Sequence, residues 1–185
     1  AKGLIERVGS QALITFKVEG QHPVKNAIPL RDHKAAINYI IKWLQSPNTE
    51  IPGISGLEDI HAIGHRVVHG GEKFKESQRI DEEVIAGIED CIDLAPLHNP
   101  ANLKGIYAAK EVFGPHVPQV AIFDTAFHAS MPPTSYLYGI PYQIYRRYKI
   151  RKYGFHGTSH RYIAYRYRLL SGNDRKNTNI ITLHL

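Results

Sequence analysis

The sequence predicts an α/β fold, because short apolar runs typical of strands alternate with longer segments of helical periodicity. Glycine and proline fall between these segments, where chain breaks are expected. Polar side chains follow three of the predicted strands. Since α/β proteins bind ligands at the carboxyl ends of strands, this placement suggests that the three groups form one site.

The first half of the chain contains two predicted strands and one helix. Residues 10–18 alternate as a strand, and residues 31–45 have apolar residues near helical spacing. Pro47 and the PGISG segment at 52–56 then break the chain. Residues 59–68 are predicted to form a buried strand that runs into the turn His69-Gly70-Gly71.

The second half continues the alternation. A helix is predicted to open at Asp81, with acidic residues in its first turn that suit the helix dipole. The remaining expectations are a helix over 81–92, a loop at 94–100, a helix over 101–113, a strand over 118–124, a turn at 131–133, a helix over 141–148, a loop that becomes a helix over 156–170, and a final strand over 179–185.

The composition is that of an ordinary globular protein, with 43% hydrophobic and 22% charged residues among 185. No run approaches the roughly 18 apolar residues of a membrane helix, and no signal peptide is visible, so we expect no membrane partner. Cys91 is the single cysteine, which excludes an intramolecular disulfide and fits a cytoplasmic location. The net charge of +6 is compatible with anionic partners.

Arg66 lies in a strongly apolar strand, where an unpaired guanidinium would be costly. We expect it to meet either an internal carboxylate or the carboxylate or phosphate of a substrate, which its planar fork can bind with two hydrogen bonds. Asp124 ends the strand over 118–124, a position suited to a metal-linked carboxylate or a general base. The alternative is that Asp124 caps the following turn.

His156 lies between two glycines, just before a predicted helix that Thr158 or Ser159 could cap. An imidazole beside free backbone N–H groups can stabilise a phosphoryl group in transfer, although the backbone alone could equally satisfy this histidine. His160 is expected to pack or hydrogen-bond within the fold. The pairs His65/His69 and His156/His160 have a zinc-like spacing but lack an HExxH helix, so no metal site is predicted.

Two further segments have competing interpretations. In the loop LAPLHNP, the side chains of Leu97, His98 and Asn99 could line an apolar pocket for a short acid, or Asn99 could simply cap the next helix. The segment 142–168 is dense in tyrosine, lysine and arginine, as in surfaces that stack single-stranded nucleic acid. We favour a solvated basic face over a tyrosine-rich interface, with no nucleic-acid partner.

Four ungapped motifs together resemble the acetate kinase family. They are GHRVVHGGEKF at 64–74, LAPLHNPANL at 94–103, FDTAFHASMPP at 123–133 and RKYGFHGTSHRY at 151–162. The resemblance implies an actin-like ATPase fold, shared with sugar kinases, Hsp70 and actin. It also implies reversible, in-line phosphoryl transfer from ATP to acetate with Mg²⁺, giving ADP and acetyl phosphate.

The resemblance also implies roles for individual residues. Arg66 would bind the carboxylate and the transferred phosphoryl group, Asp124 would be the catalytic aspartate, and His156 would stabilise the transition state. His98 would be another active-site histidine, and His184 would open a phosphate-binding turn. The pocket for the substrate's methyl group would be formed by Val68, Leu97 and Phe155.

Some parts of the family pattern have no counterpart in the sequence. These are an opening strand with an Asn-x-Gly-Ser-Ser-Ser phosphate loop, a Gly-Asn-Gly loop and a second, nucleotide-binding domain. We therefore expect residues 1–185 to be a single truncated N-terminal domain that is inactive alone and belongs to a homodimeric enzyme. The competing hypothesis is a basic, tyrosine-rich, non-enzymatic module that binds nucleic acid.

Overall fold

A computed structural model describes residues 1–46, 49 and 51–185. Within them the chain forms two compact units, one of residues 1–63 and 104–119 and the other of residues 64–103 and 120–185. Both contain strands and helices, which confirms the α/β class. No helix in these residues is long and apolar enough to cross a membrane.

The first unit contains an antiparallel sheet of three strands, β1 (Lys2–Glu6), β2 (Gln11–Lys17) and β3 (Val24–Pro29), with β2 in the centre. One face of β2 is buried through Ala12, Ile14 and Phe16. Helix α1 (His33–Leu44) covers this face, and the ring of Trp43 stacks on Phe16 with the centroids 4.3 Å apart.

The strand over 10–18 and the helix over 31–45 are confirmed by β2 and α1. The Asp32 side chain caps α1 by accepting a hydrogen bond from the backbone N–H of Ala35 at 2.7 Å. Pro47, predicted to break the chain after this helix, lies outside the described residues. A bridge between Ile51 and Ile54 closes a tight turn inside the predicted PGISG break.

Strands β4 (Ile63–Val67), β5 (Gln78–Arg79) and β6 (Gln119–Phe123) form the second sheet, in which β6 is central. The N–H of Ile63 donates to Pro118 and that of Asp124 to Val67, so β4 and β6 run in the same direction. β5 pairs with β6 in the opposite direction. The strand predicted over 59–68 corresponds to β4 but is shorter, since it begins at Ile63 after a 3-10 turn at Leu57–Asp59.

Four helices follow the predicted pattern, with small differences in their bounds. They are α2 (Glu82–Glu89), α3 (Asn99–Phe113), α5 (Tyr142–Tyr148) and α6 (Gly157–Ser171). Asp81 caps α2 as expected, by accepting from the N–H of Val84 at 2.9 Å. A short helix, α4 (Pro133–Tyr136), begins at the end of the predicted turn.

The strand predicted over 179–185 is wrong. This segment has no regular structure in the described chain, and the side chains of Ile181 and Leu183 are 90% and 80% exposed. Its alternating pattern is that of a strand, but a strand is stable only beside a partner that satisfies its backbone groups. The side chains of Thr182 and His184 instead hydrogen-bond to α6.

Candidate functional site

The core of the candidate site is an ion pair between Arg66 in β4 and Asp124, which follows β6. Nη2 of Arg66 lies 2.7 Å from Oδ2 of Asp124, and Nε donates to both carboxylate oxygens at 3.0 and 3.1 Å. The parallel strands bring both residues to the same edge of the sheet, as the sequence predicted. Of the two anions expected for Arg66, the structure contains the internal one.

The two partners are very unequally exposed. The side chain of Arg66 is 58% exposed, whereas that of Asp124 is 1% exposed. Hydrogen bonding to Asp124 raises the pKa of the Arg66 guanidinium above its ordinary value. The buried carboxylate therefore holds an exposed, permanently charged fork at the protein surface, where it can meet an incoming anion.

Three polar side chains fix the turn that follows β4. The amide of Asn99 accepts from the N–H of His69 at 3.1 Å and donates to the carbonyls of His69 and Ile88 at 3.0 and 3.1 Å. Asn102 accepts from the N–H of Val68, and Oγ1 of Thr125 accepts from the N–H of Gly70, both at 3.1 Å. Hydrogen bonds to two side chains of α3 and to Thr125 thus fix the backbone of the turn that follows Arg66.

Asn99 differs from both interpretations of its sequence position, since it is fully buried and its amide bonds to the backbone of His69 and Ile88. Its neighbour in space, His69, is 1% exposed, and desolvation lowers the pKa of the imidazole to about 4. His69 is therefore neutral near pH 7, and its Nδ1 accepts from the N–H of Gly71 at 3.0 Å. We conclude that these residues shape the turn.

His156 itself occupies the cap position of α6, so the prediction that Thr158 or Ser159 caps this helix is wrong. Both lie within the first helical turn, where Oγ1 of Thr158 donates to Asp124 at 3.4 Å. His156 has a φ of 53°, a left-handed conformation that costs free energy in a residue with a Cβ. Such strain is a recognised feature of functional sites.

The start of α6 lies directly against Asp124. The N–H of Gly157 donates to the carbonyl of Asp124 at 3.0 Å, and a Cβ added at Gly157 would lie 2.3 Å from this oxygen. Only glycine permits so close an approach. As a result, Nδ1 of His156 lies 3.3 Å from Nη2 of Arg66.

A row of histidines extends from this point. The rings of His156 and His184 stack with centroids 4.3 Å apart, and His160 follows at 6.2 Å from His184. His184 contacts Oγ of Ser159, and His160 contacts Oγ1 of Thr182, so His160 hydrogen-bonds within the fold as expected. His128 ends the row with a buried Nδ1 that finds no hydrogen-bond partner among the described residues, and desolvation lowers the pKa of its imidazole.

The remaining predicted residues are more dispersed. Leu97 and His98 are exposed in the loop before α3, with 85% of Leu97 accessible. Val68 is half-buried after β4, and the ring of Phe155 lies 5.7 Å from that of His69. Phe155 and Val68 thus both adjoin the turn at His69, whereas the side chain of Leu97 is largely exposed to solvent.

The described residues contain no cluster of three or more His, Cys, Asp or Glu side chains that could hold a metal ion. Both carboxylate oxygens of Asp124 already accept from Arg66. Magnesium commonly uses one or two carboxylates together with substrate phosphates and water. The described residues therefore do not form a magnesium site by themselves, and Asp124 could supply at most one ligand.

Together these groups can bind and stabilise an oxyanion. An exposed guanidinium, an imidazole and the start of a helix of 15 residues converge within hydrogen-bond distances. Each of these groups stabilises negative charge, and buried Asp124 orients the guanidinium.

Known proteins resemble this chain along its whole length. The sequence profile of the acetokinase family matches residues 1–185. The acetate kinases of Chloroherpeton thalassium and Solibacter usitatus are 60% and 57% identical to it, over 100% and 99% of the chain. The chain spans about half the length of these curated relatives, namely 46% and 44%.

Solved structures give the same result. Acetate kinase from Porphyromonas gingivalis superposes with a TM-score of 0.84 at 42% identity, over 92% of this chain and 42% of that one. A propionate kinase from Francisella tularensis superposes with a TM-score of 0.83 at 39% identity, over 93% and 42%. These matches agree with the predicted N-terminal domain of the actin-like ATPase fold.

Proposed function

Because the chain belongs to the acetokinase family, we propose that it forms the acetate-binding part of an enzyme that transfers a phosphoryl group reversibly between ATP and acetate. The products would be ADP and acetyl phosphate. The observation that carries the proposal is the convergence of Arg66, Asp124 and His156 at the carboxyl ends of two parallel strands. Acetate kinases that are 60% and 57% identical support it.

Phosphoryl transfer depends on positioning and charge stabilisation more than on covalent chemistry by the protein. Arg66 binds the carboxylate of acetate and then the oxygens of the phosphoryl group, because its fork is exposed and always charged. His156, beside the start of α6, stabilises the charge that develops in transfer. Asp124 is the catalytic aspartate that fixes the guanidinium.

The other assignments complete this site. Val68 and Phe155, which adjoin the turn at His69, and Leu97, in the exposed loop before α3, are the proposed contacts of the methyl group, with His98 next to Leu97. His184, stacked on His156, contributes to the phosphate-binding turn. The proposed substrate is acetate, and propionate is tested beside it because one methylene changes binding by only about 1–3 kcal/mol.

ATP and Mg²⁺ are the proposed cofactors. When bound, the metal neutralises charge on the transferring phosphates, and Asp124 could provide one ligand to it. The described side chains do not provide a complete coordination sphere. The proposed single N-terminal domain requires a C-terminal, nucleotide-binding domain, and the assembled enzyme is proposed to be a cytoplasmic homodimer. Residues 1–185 alone should be inactive.

The test uses the protein expressed from its complete reading frame. Acetyl phosphate formed from ATP and acetate is measured for the unchanged protein, Asp124→Asn and a matched control, Asp93→Asn, which changes an exposed carboxylate. Loss of preorganised charge stabilisation should lower the turnover of Asp124→Asn by about 100-fold or more, with Asp93→Asn unaffected.

Propionate in place of acetate tests the substrate, and residues 1–185 alone test the need for the rest of the protein. An unchanged turnover in Asp124→Asn would refute the role of this residue. A folded complete protein that phosphorylates neither acid would refute the function itself.

A further inference from the structure

A partly buried ion pair connects the two loops that carry the candidate site. Glu72 directly follows the turn His69-Gly70-Gly71, and Arg151 lies five residues before His156. Nη1 of Arg151 donates to Oε1 of Glu72 at 2.9 Å, and the hydroxyl of Tyr145 donates to the same oxygen at 2.7 Å. These contacts join residues that are 79 and 73 positions apart in sequence.

The environment of Arg151 is unusually restrictive for a cation. Its side chain is 9% exposed, and its guanidinium lies 3.5 Å from the ring centroid of Tyr136 and 4.9 Å from that of Tyr153. Nε donates to the carbonyl of Lys152 at 3.1 Å. Hydrogen bonds, a carboxylate and two aromatic faces thus fix the guanidinium in one orientation, which compensates its desolvation.

Glu72, the acidic partner of Arg151, also has several hydrogen-bonding and charged partners. Burial would raise the pKa of the Glu72 carboxyl, but hydrogen bonds from Tyr145 and Arg151 and the charge of Lys149 outweigh it, so the pKa is lowered. Nζ of Lys149 lies 3.4 Å from Oε2. Glu72 is therefore an anion that organises three donors from the segment 145–151.

The segment between Arg151 and His156 is packed against His69, in the turn that follows β4, and against His128. The ring of Tyr153 meets that of His69 edge-on at 4.5 Å. A Cβ added at Gly154 would lie 2.0 Å from the ring of His128, so the backbone passes very close to that side chain. Arg151 and His156 are thus the two ends of one short segment whose middle lies against His69 and His128.

We propose that Arg151, through its pair with Glu72, is a positioning residue that sets the distance between His156 and Arg66. The inference rests on the function proposed above for these two residues. Arg151 does not touch the reacting atoms in this role. It holds the His156 loop against the turn that follows β4, so that the imidazole remains 3.3 Å from the guanidinium of Arg66.

The experiment compares Arg151→Met, Arg151→Lys, Glu72→Gln and the double variant Glu72→Gln/Arg151→Met in the complete protein. Arg147→Met is the matched control, because Arg147 also lies over a tyrosine, Tyr148, but is exposed. Turnover and KM for ATP are measured in the acetyl phosphate assay, and the ring nitrogens of His156 are followed by NMR with ¹⁵N-histidine labelling.

A displacement of about 1 Å at a reacting group can lower the rate about 100-fold. We therefore expect Arg151→Met to lose about 100-fold in kcat with KM for ATP within twofold, and to shift the His156 signal. Arg151→Lys should lose about 10-fold, because it keeps the charge without the planar fork. The kcat of the double variant should be no lower than that of the less active single variant, because each single change already breaks the same pair.

Normal kcat and an unmoved His156 signal in Arg151→Met would overturn the proposal, even if its melting temperature fell. If Arg151→Met does not fold, Arg151→Lys decides by the same two measurements. The NMR signal of His156 also tests the positioning role of Arg151 separately from the proposed kinase function. A complete protein without kinase activity refutes the proposed function, whereas a His156 signal that responds to Arg151→Met but not to Arg147→Met still supports the positioning role.

Discussion

Replacing Asn99 by alanine should lower the free energy of unfolding of residues 1–185 by about 3 kcal/mol. The fully buried amide makes three hydrogen bonds, to the N–H and carbonyl of His69 and to the carbonyl of Ile88. Each contributes about 1 kcal/mol. The buried backbone groups would also lose their partners, and water cannot replace the amide without space to enter.

Asn102→Ala is the matched comparison, because Asn102 supports the adjacent residue with a single bond to the N–H of Val68. It should cost about 1 kcal/mol. Urea unfolding followed by circular dichroism gives both values, and amide exchange at His69 should accelerate more in Asn99→Ala than in Asn102→Ala. A loss below about 0.5 kcal/mol in Asn99→Ala, or equal losses in the two variants, would refute the argument.

Three further outcomes follow from the burial and packing described above. The pKa of His69 is lowered to about 4 by desolvation, so the unfolded chain binds a proton that the folded chain does not, and stability should fall as the pH decreases from about 6.5 towards 4. NMR titration should show neutral His69 at pH 5, and protonation at that pH would contradict this. Gly157→Ala should destabilise the protein in thermal melts, because its Cβ would meet the carbonyl of Asp124, whereas Gly105→Ala, with open space in α3, should stabilise it by about 0.5–1 kcal/mol. Burial raises the pKa of the Cys91 thiol to about 11, so it should resist iodoacetamide at pH 8 until the chain is unfolded in urea, and rapid native labelling would disprove this.

The strongly periodic segments could be predicted from sequence, but β1, β3 and β5 could not. β1 (Lys2–Glu6) and β3 (Val24–Pro29) have weak alternation, with glycine in one and asparagine and proline in the other. They become strands because each pairs with β2, a non-local contact that local patterns do not reveal. The segment 179–185 shows the converse, since a good strand pattern without a partner forms no strand.

Only part of the candidate site could be predicted from the sequence, because its other contacts are also non-local. Local sequence patterns predict that Arg66 and Asp124 lie at strand ends and that His156 lies at a helix start. The buried amide of Asn99 and the pair of Glu72 with Arg151 depend on which loops meet in space. An asparagine in a loop and a glutamate after glycines are ordinary surface residues by composition, so the sequence contained no signal for these roles.

The left-handed backbone of His156 has a consequence for its tolerance of mutation. Substitutions there change two things at once, the ring and the cost of the backbone conformation. Glycine and asparagine adopt positive φ readily, whereas valine and isoleucine are strongly disfavoured. In a saturation library at this position, the abundance of each variant should therefore follow the preference of its residue for a positive φ. The activity of each variant should instead follow the chemistry of its side chain. His156→Asn is the substitution that best isolates the imidazole, because it removes the ring with the least disturbance to the chain.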